Sequence, residues 1–268
     1  MMPHTTLIRY IGGKSELAPE IASYIRVPYT GVYCEPFVGG ASVGILVAST
    51  TAYAKVRVIL NDFDPEVANF WNQVINPNKA DVNRFLDQIK ACQPSLDLHD
   101  WMKKGWHPTD PIDRAFRWLF LNRASHIASH GKRPLGGRRQ ANPDSDIRSR
   151  FKVDNIIPEF IRVRRILFGR TIVTCKDFAE VLADAESDWV IYADPPYYDR
   201  NLYDVSFYHD DHVRLRDALM TTPADWVLSY QEHPTVLDLY RNATIHTREA
   251  NHAMNKRKRN EWIIVPNR

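Results

Sequence analysis

The stretch WVIYADPPY, residues 189–197, decides the fold and marks a candidate site. Val190, Ile191 and Tyr192 form an uninterrupted apolar run, which predicts a buried strand. Asp194 therefore stands where this strand ends and a loop begins at the edge of a sheet. In open α/β sheets, ligands bind at this edge, outside the carboxyl ends of the strands.

The two prolines limit what this loop can bind. Pro195 and Pro196 have no backbone N–H, so the segment offers a carboxylate and carbonyl oxygens but few donors. Such a site suits an aromatic amino group, because accepting both of its hydrogens turns its lone pair toward an electrophile. Tyr197 adds a ring face on which a planar base can stack. The simpler alternative is a proline-bent loop that begins with an aspartate.

Strand and helix patterns alternate on both sides of this stretch. Predicted strands comprise residues 32–35, 56–60, 171–174, 189–192, 226–230, 243–247 and 262–265. Predicted helices comprise residues 15–24, 41–48, 65–90, 114–128, 176–185, 210–220 and 234–240. The last two strands leave no room for a crossover helix, which predicts an antiparallel hairpin. The pattern predicts an α/β, Rossmann-like, seven-stranded mixed sheet from residues 1–69 and 170–268, with a mostly helical insert at 70–169.

A second candidate site follows the first predicted strand. In EPFVGG, residues 35–40, the glycines Gly39 and Gly40 let the backbone approach a ligand that a side chain would block. Asp62 follows the second strand, about 20 residues later, a spacing typical of an acid that binds ribose hydroxyls. No G-x-G-x-x-G pattern accompanies these residues. A helix N-cap ahead of Pro65 is the alternative role for Asp62.

Composition limits the class of protein. The chain has 268 residues, a formal net charge of +3 and three separated cysteines, Cys34, Cys92 and Cys175. This cysteine usage favours neither a disulfide framework nor a clustered zinc site, and it is typical of a reducing cytoplasm. Residues 1–9 lack an apolar signal core, and the weakly charged run 36–54 is too interrupted by polar residues for a membrane span. We therefore expect a cytoplasmic protein with no membrane partner.

Basic residues are concentrated in the predicted insert. Residues 132–170 carry a clear excess of Lys and Arg over Asp and Glu, although the whole chain is nearly balanced. Localised positive charge suits a polyanion that touches one face of a protein. A solvated basic surface without a partner is the alternative.

These motifs together resemble the Dam-like, alpha-group family of DNA adenine N6-methyltransferases. Residues 194–197 are similar to its catalytic motif, and residues 10–14 and 35–40 are similar to its cofactor motifs. The resemblance implies S-adenosyl-L-methionine as cofactor, with Lys14 at its carboxylate, Glu35 offsetting its positive charge and Asp177 at its adenine. The family usually carries tryptophan at the position of Tyr10. The implied cofactor residues are Tyr10, Gly13, Lys14, Glu35, Phe37, Gly39, Gly40, Asp62, Asp177 and Asp194.

The same resemblance implies double-stranded DNA as substrate. A target adenine would be flipped out of the duplex, and Asp194 and the carbonyl of Pro195 would accept its amino hydrogens. Arg138 and Arg139 suit either guanine recognition or phosphate contact, and this choice stays open. The family implies action as a monomer, a bacterial or phage origin, and a cognate restriction endonuclease as a partner to consider. The implied DNA-binding residues are Asn122, Arg123, Arg138, Arg139, Lys256, Arg257 and Lys258.

Other functions stay open at the level of sequence. An acceptor-only pocket would also hold the amino group of cytosine, which keeps a cytosine N4 or RNA methyltransferase as the runner-up. The segment 40–44 fits G-x-S-x-G, which would make Ser42 the nucleophile of a serine hydrolase. A DNA-binding protein without catalysis is a third class. The pairs His126 with His130 and His209 with His212 lack further ligands, so no metal site is predicted.

Overall fold

Seven strands form one mixed sheet in the described part of the chain. The structure is a computed structural model and describes residues 7–10, 12–126, 133–198, 207–251 and 258–267. The strands are β1 (Val32–Glu35), β2 (Arg57–Asn61), β3 (Thr171–Thr174), β4 (Trp189–Ala193), β5 (Asp225–Gln231), β6 (Ala243–Asn251) and β7 (Lys258–Pro266). Their spatial order is β3-β2-β1-β4-β5-β7-β6. β7 is antiparallel to both neighbours, and the other pairs are parallel, which confirms the predicted mixed sheet with its edge hairpin.

Ten α-helices lie in the described part of the chain. They are α1 (Ala18–Tyr24), α2 (Ser42–Ser49), α3 (Pro65–Val74), α4 (Lys79–Ala91), α5 (Leu96–Asp100), α6 (Pro111–Ala124), α7 (Val153–Leu167), α8 (Phe178–Ala183), α9 (His209–Thr221) and α10 (Pro234–Leu239). None of these described helices is both long and apolar enough to span a bilayer.

The central strands explain why the sheet forms here. β1 and the Val190–Ala193 part of β4 are buried at every position, as expected for parallel strands covered on both faces, and all of these residues except Glu35 are apolar. β1 pairs with β2 on one side and with β4 on the other, so strand order reverses between β1 and β4. A reversal of this kind opens a crevice at the carboxyl ends of the two strands. Glu35 and Asp194 lie at these two ends.

The chain divides into two compact units. The sheet unit comprises Lys14–Asp64 and the described residues from Arg170 onward, and it carries β1 to β7. The helical unit comprises the described residues up to Gly13 together with Pro65–Gly169, and it carries α3 to α7. The division predicted from sequence differs in that it assigned residues 1–13 and 65–69 to the sheet.

The helical unit has an aromatic core of its own. The rings of Phe70 and Trp118 lie 5.2 Å apart, and those of Phe85 and Phe160 lie 5.4 Å apart, measured between centroids. Phe160 belongs to α7, a helix that the sequence prediction missed. Pro158 inside α7 weakens the local helix signal, since proline removes a hydrogen bond and crowds the preceding turn. The buried positions 156, 160, 163 and 167 nevertheless follow helical spacing, and their burial outweighs that cost.

Candidate active site

Asn61 joins the loops that carry the candidate site. This buried residue ends β2, and its Nδ2 donates to the carbonyl oxygens of Pro36, at 2.9 Å, and Lys176, at 3.0 Å. Its Oδ1 accepts from the Thr174 hydroxyl, at 2.7 Å, and from the Lys176 N–H, at 3.0 Å. One amide side chain therefore connects the loops that follow β1, β2 and β3. Its hydrogen bonds identify Asn61 as a structural residue beside the predicted ribose-binding acid.

Asp62 joins the same region to the glycine-containing loop. Its Oδ2 accepts from the Gly39 N–H and its Oδ1 accepts from the Asp64 N–H, both at 3.0 Å. Gly39 has a φ of 41°, in the left-handed region that favours glycine. Burial raises the pKa of Asp62 to about 7, although the two backbone donors act in the opposite direction. The carboxylate is thus held in place with lone pairs left to accept from a ligand.

Glu35 is a buried acid at the end of β1. It accepts from the Tyr33 hydroxyl at 2.6 Å and from the backbone N–H of Gly44, in the first turn of α2. A Cβ on Gly44 would lie 3.0 Å from Glu35 Oε1, so this close approach favours glycine. Burial raises the pKa of Glu35 to about 8, and the nearby Asp194 acts in the same direction. A positively charged ligand would therefore find an acid whose ionised form it can stabilise.

Replacing Glu35 by glutamine should stabilise the protein without ligand, and more so as pH rises. The folded-state pKa of about 8 lies above the ordinary 4.5, so between these values unfolding releases a proton and stability falls with rising pH. Glutamine lacks this penalty. We expect Glu35→Gln to raise the melting temperature by several degrees at about pH 8 and by much less at about pH 5. Circular dichroism melts check this, with exposed Glu180→Gln as control; an identical difference at both pH values would contradict it.

Asp194 lies in a cluster with Lys14, Tyr197 and Glu261. Lys14 Nζ is 2.8 Å from Asp194 Oδ1 and 3.2 Å from Glu261 Oε1. The Tyr197 hydroxyl donates to Glu261 Oε1 and lies 3.4 Å from Asp194 Oδ1. The side chain of Asp194 is 22% exposed, whereas those of Lys14 and Glu261 are 5% and 2% exposed. Of the two acids, Asp194 is therefore the one that solvent or a substrate can reach.

The charges of the cluster act on one another. Burial raises the pKa of Asp194 to about 6, Lys14 opposes this shift, and Glu261 adds to it. Burial alone would lower the pKa of Lys14, but Asp194 and Glu261 outweigh it, so the pKa of Lys14 is raised and the ammonium stays protonated. Asp194 consequently changes its ionisation close to neutral pH.

The remaining residues of the tetrapeptide frame this cluster. Pro195 and the Tyr197 ring are buried, and Pro196 is half-buried. Lys14 Nζ lies over the Tyr197 ring, 4.8 Å from its centroid, and the Tyr230 ring lies 6.1 Å away between centroids. In this arrangement the ammonium group covers part of the Tyr197 ring, so stacking of a base on Tyr197 stays a prediction.

The other predicted cofactor residues lie on three separate segments. Asp177 accepts from the Ala179 N–H as the N-cap of α8 and forms an ion pair with Arg214 at 2.8 Å. The Phe37 ring packs against that of Phe178, with 5.4 Å between centroids. Tyr10 and Gly13, in the helical unit, form a turn in which the Gly13 N–H donates to the Tyr10 carbonyl at 3.1 Å. Gly40 is half-buried and precedes Ala41, whose φ is 51°.

Asn122 and Arg123, predicted to bind DNA, are buried in the helical unit instead. Asn122 exchanges two hydrogen bonds with the backbone of Arg9, at 2.8 and 2.7 Å. Arg123 donates to the carbonyl oxygens of Leu7 and Arg150, both at 2.8 Å, and burial lowers its pKa to about 10. Their amide and guanidinium groups are occupied in holding separate segments of this unit together. These hydrogen bonds give both residues a structural role, and direct DNA contact by either of them stays a prediction.

Of the other five predicted DNA-binding residues, two are exposed and three have side chains outside the described part of the structure. Arg138 is 61% exposed and forms a two-pronged ion pair with Asp100, at 2.6 and 2.9 Å. Arg139 is exposed. Lys256 and Arg257 lie outside the described residues, and of Lys258 only the backbone, at the start of β7, is described.

Sequence reasoning missed the part that Glu261 plays. Its signal is an acid next to an apolar run in the last strand, Trp262 to Val265, because a buried carboxylate in such a strand requires a charged or hydrogen-bonding partner. Ser42, the candidate hydrolase nucleophile, has its Oγ 3.2 Å from the Ser15 Oγ. A second hydroxyl is not the imidazole base that such a nucleophile needs.

Comparisons with known proteins show which family the chain is similar to. The family model for D12 class N6 adenine-specific DNA methyltransferases matches residues 10–125 and 146–254. The chain is 24% identical to the DNA adenine methylase of Vibrio cholerae serotype O1, over 96% of this chain and 92% of that protein. It is 22% identical to the Retron Ec67 DNA adenine methylase of Escherichia coli, over 90% and 82% of the two chains. Among solved structures, the rRNA methyltransferase aviRa of Streptomyces viridochromogenes aligns with a TM-score of 0.45 and 15% identity, covering 97% and 89%.

Proposed function

Because the chain belongs to the D12 class of N6 adenine-specific DNA methyltransferases, we propose that Asp194 orients the amino group of a flipped adenine for methyl transfer from S-adenosyl-L-methionine. The observation that carries this proposal is the place of Asp194. It is a partly exposed carboxylate directly after β4, across the strand reversal from the buried Glu35 at the end of β1. Parallel sheets of this kind bind their ligands at such a reversal.

The residues after β1 and β2 fit the proposed methyl donor. When bound, S-adenosyl-L-methionine supplies an electrophilic methyl group on a positively charged sulfur. Glu35, with its pKa raised to about 8, would balance a cation by becoming fully ionised. Asp62, fixed by two backbone donors, would accept from ribose hydroxyls. We extend the donor site to Tyr10, Gly13, Phe37, Gly40 and Asp177, as the resemblance implies.

Asp194 and the prolines would prepare the adenine nitrogen for attack. The ionised carboxylate accepts one amino hydrogen, and the carbonyl of Pro195 accepts the other, which directs the nitrogen lone pair out of the ring plane. Pro196 adds no N–H that could compete for that lone pair. Positioning of this kind lowers the barrier because two bound reactants behave as if at high concentration. The residues of the cluster form no covalent bond to the base at any stage.

For the nucleic acid, we propose duplex DNA bound by a single copy of the chain. The predicted insert at 70–169 would recognise the target, and exposed Arg138 and Arg139 would contact DNA phosphates or bases. Lys256, Arg257 and Lys258 would supply further phosphate contacts. A restriction endonuclease with the same recognition sequence would be the natural functional partner.

The test separates adenine from cytosine and DNA from RNA. The purified chain is incubated with tritiated S-adenosyl-L-methionine and unmethylated duplex DNA, and the product is digested to nucleosides and resolved by chromatography. We expect the label in N6-methyl-2′-deoxyadenosine. Label in N4-methylcytosine, or label transferred only to an RNA substrate, would refute the proposal. Expression in a methylation-free host with single-molecule sequencing then gives the recognition sequence.

A further inference from the structure

We propose that Glu261 is a positioning residue that holds Lys14 and Tyr197 against the carboxylate of Asp194. This inference rests on the function proposed above, because it concerns the same site. Glu261 lies on β7, opposite Gln231 of β5 and Arg248 of β6 in the sheet register. Glu261 reaches the cluster from β7, the last strand along the chain, whereas Asp194 follows β4.

The contacts form a closed arrangement of two donors between two acids. Lys14 Nζ contacts Asp194 Oδ1 at 2.8 Å and Glu261 Oε1 at 3.2 Å. The Tyr197 hydroxyl donates to the same oxygen of Glu261 and lies 3.4 Å from the same oxygen of Asp194. The Lys14 ammonium therefore bridges both carboxylates, whereas Tyr197 donates its one hydroxyl hydrogen to Glu261 and lies beside Asp194. A shift of Glu261 would move Lys14 and Tyr197, and through them the carboxylate that is proposed to hold the base.

A contribution to stability alone does not account for Glu261. Its side chain is 2% exposed, and the desolvation of a buried ion pair costs about as much as the attraction returns. One ammonium facing two carboxylates also leaves an excess of negative charge when both acids are ionised. This excess acts on Asp194, the more exposed of the two acids.

Ionisable groups from several elements surround Asp194. Their charges determine whether its pKa rises or falls when one of them is removed. Lys14 lowers the pKa of Asp194, whereas Glu261 raises it. The other ionisable groups that interact with Asp194 are Glu35 and the tyrosines Tyr192, Tyr197 and Tyr230. Removal of the Glu261 charge should therefore lower the pKa of Asp194, and removal of the Lys14 charge should raise it.

The first experiment measures the ionisation of Asp194 without any ligand. Aspartate carboxyl carbons are labelled with ¹³C, followed by NMR from about pH 4 to about pH 9, and Asp194 is assigned by its loss in Asp194→Asn. In Glu261→Gln we expect the titration of Asp194 to move down by about one unit, and in Lys14→Met to move up by about one unit or more. Glu186→Gln, an exposed change before β4, serves as the matched control and should leave the titration in place.

The second experiment uses methyl transfer. In the unchanged protein, activity should fall as pH drops through about 6, because the carboxylate becomes protonated. Glu261→Gln should move this acidic limb to lower pH and reduce kcat, with KM for DNA nearly unchanged. A merely structural residue would reduce the amount of folded protein without moving the limb.

The outcomes distinguish this inference from the proposed function. An Asp194 titration that does not move in Glu261→Gln, with an unchanged near-ultraviolet spectrum, overturns the role of Glu261. If the unchanged protein transfers no methyl group, the proposed function fails, and the NMR titration still decides the role of Glu261. If Glu261→Gln does not fold, Glu261→Asp decides: it keeps the charge but shortens the side chain by one methylene, so a titration of Asp194 that moves up toward that of Lys14→Met supports the inference, and one that stays with the unchanged protein overturns it.

Discussion

Replacement of Asp194 by asparagine is expected to lower kcat/KM for methyl transfer to duplex DNA by about 10³-fold, with the fold intact. Asparagine keeps the size of the side chain but removes the negative charge, and it places an amide that can donate where the amino group requires an acceptor. The fold should survive because Lys14 keeps Glu261 as an ion-pair partner, 3.2 Å away. Binding of the methyl donor should change little, since Glu35 and Asp62 are untouched.

Tritiated-methyl transfer and calorimetric binding of S-adenosyl-L-methionine check this result. The matched control is Asp184→Asn, which removes a carboxylate that is 65% exposed at the end of α8 in the same unit. The control should retain full activity. Full activity in Asp194→Asn itself would refute the catalytic assignment, and lost donor binding would place Asp194 in the donor site instead.

Replacement of Asn61 by alanine is expected to destabilise the protein by about 3–5 kcal/mol. The change removes four hydrogen bonds at once, to the Pro36 carbonyl, the Thr174 hydroxyl and the two backbone groups of Lys176. Because Asn61 is fully buried, water does not readily replace its amide, and each abandoned group carries a desolvation cost of about 1–3 kcal/mol.

Urea unfolding followed by tryptophan fluorescence measures this loss. Asn267→Ala is the matched control, because Asn267 also hydrogen bonds to two groups, Thr244 and the Asn242 carbonyl, but is exposed. Water can satisfy those groups, so the control should lose about 1 kcal/mol or less. A loss in Asn61→Ala no larger than that of the control would show that the loops do not depend on this side chain.

Features set by local patterns were predictable from the sequence. The central strands contain short apolar runs, so they were found with boundaries close to those observed, and β3 was found with its observed boundaries. β6 and β7 each extend four residues further into the polar hairpin than predicted. The antiparallel edge followed from the short connection between β6 and β7. The exposed place of Asp194 after β4 also followed, because a strand end is visible in a sequence.

Features set by distant contacts were not predictable in this way. Glu261 meets Lys14 and Tyr197 only when β7 is in place, and no local pattern reports that contact. Asn122 and Arg123 were named from a family resemblance, which does not report whether a side chain is buried. The helical spacing of Arg123 with Phe116 and Leu119 was the available clue, since it puts the guanidinium on the apolar face of α6.

The missing side chain at Gly44 accounts for part of the match of this chain to the G-x-S-x-G pattern of hydrolases. A Cβ there would stand 3.0 Å from the Oε1 of Glu35, so a side chain would crowd that carboxylate. The second glycine of the G-x-S-x-G pattern therefore fits the packing of the Glu35 carboxylate against the first turn of α2. This packing accounts for the glycine without a serine nucleophile. In this chain a G-x-S-x-G match therefore coexists with a packing role for its second glycine, so the match by itself does not identify a hydrolase.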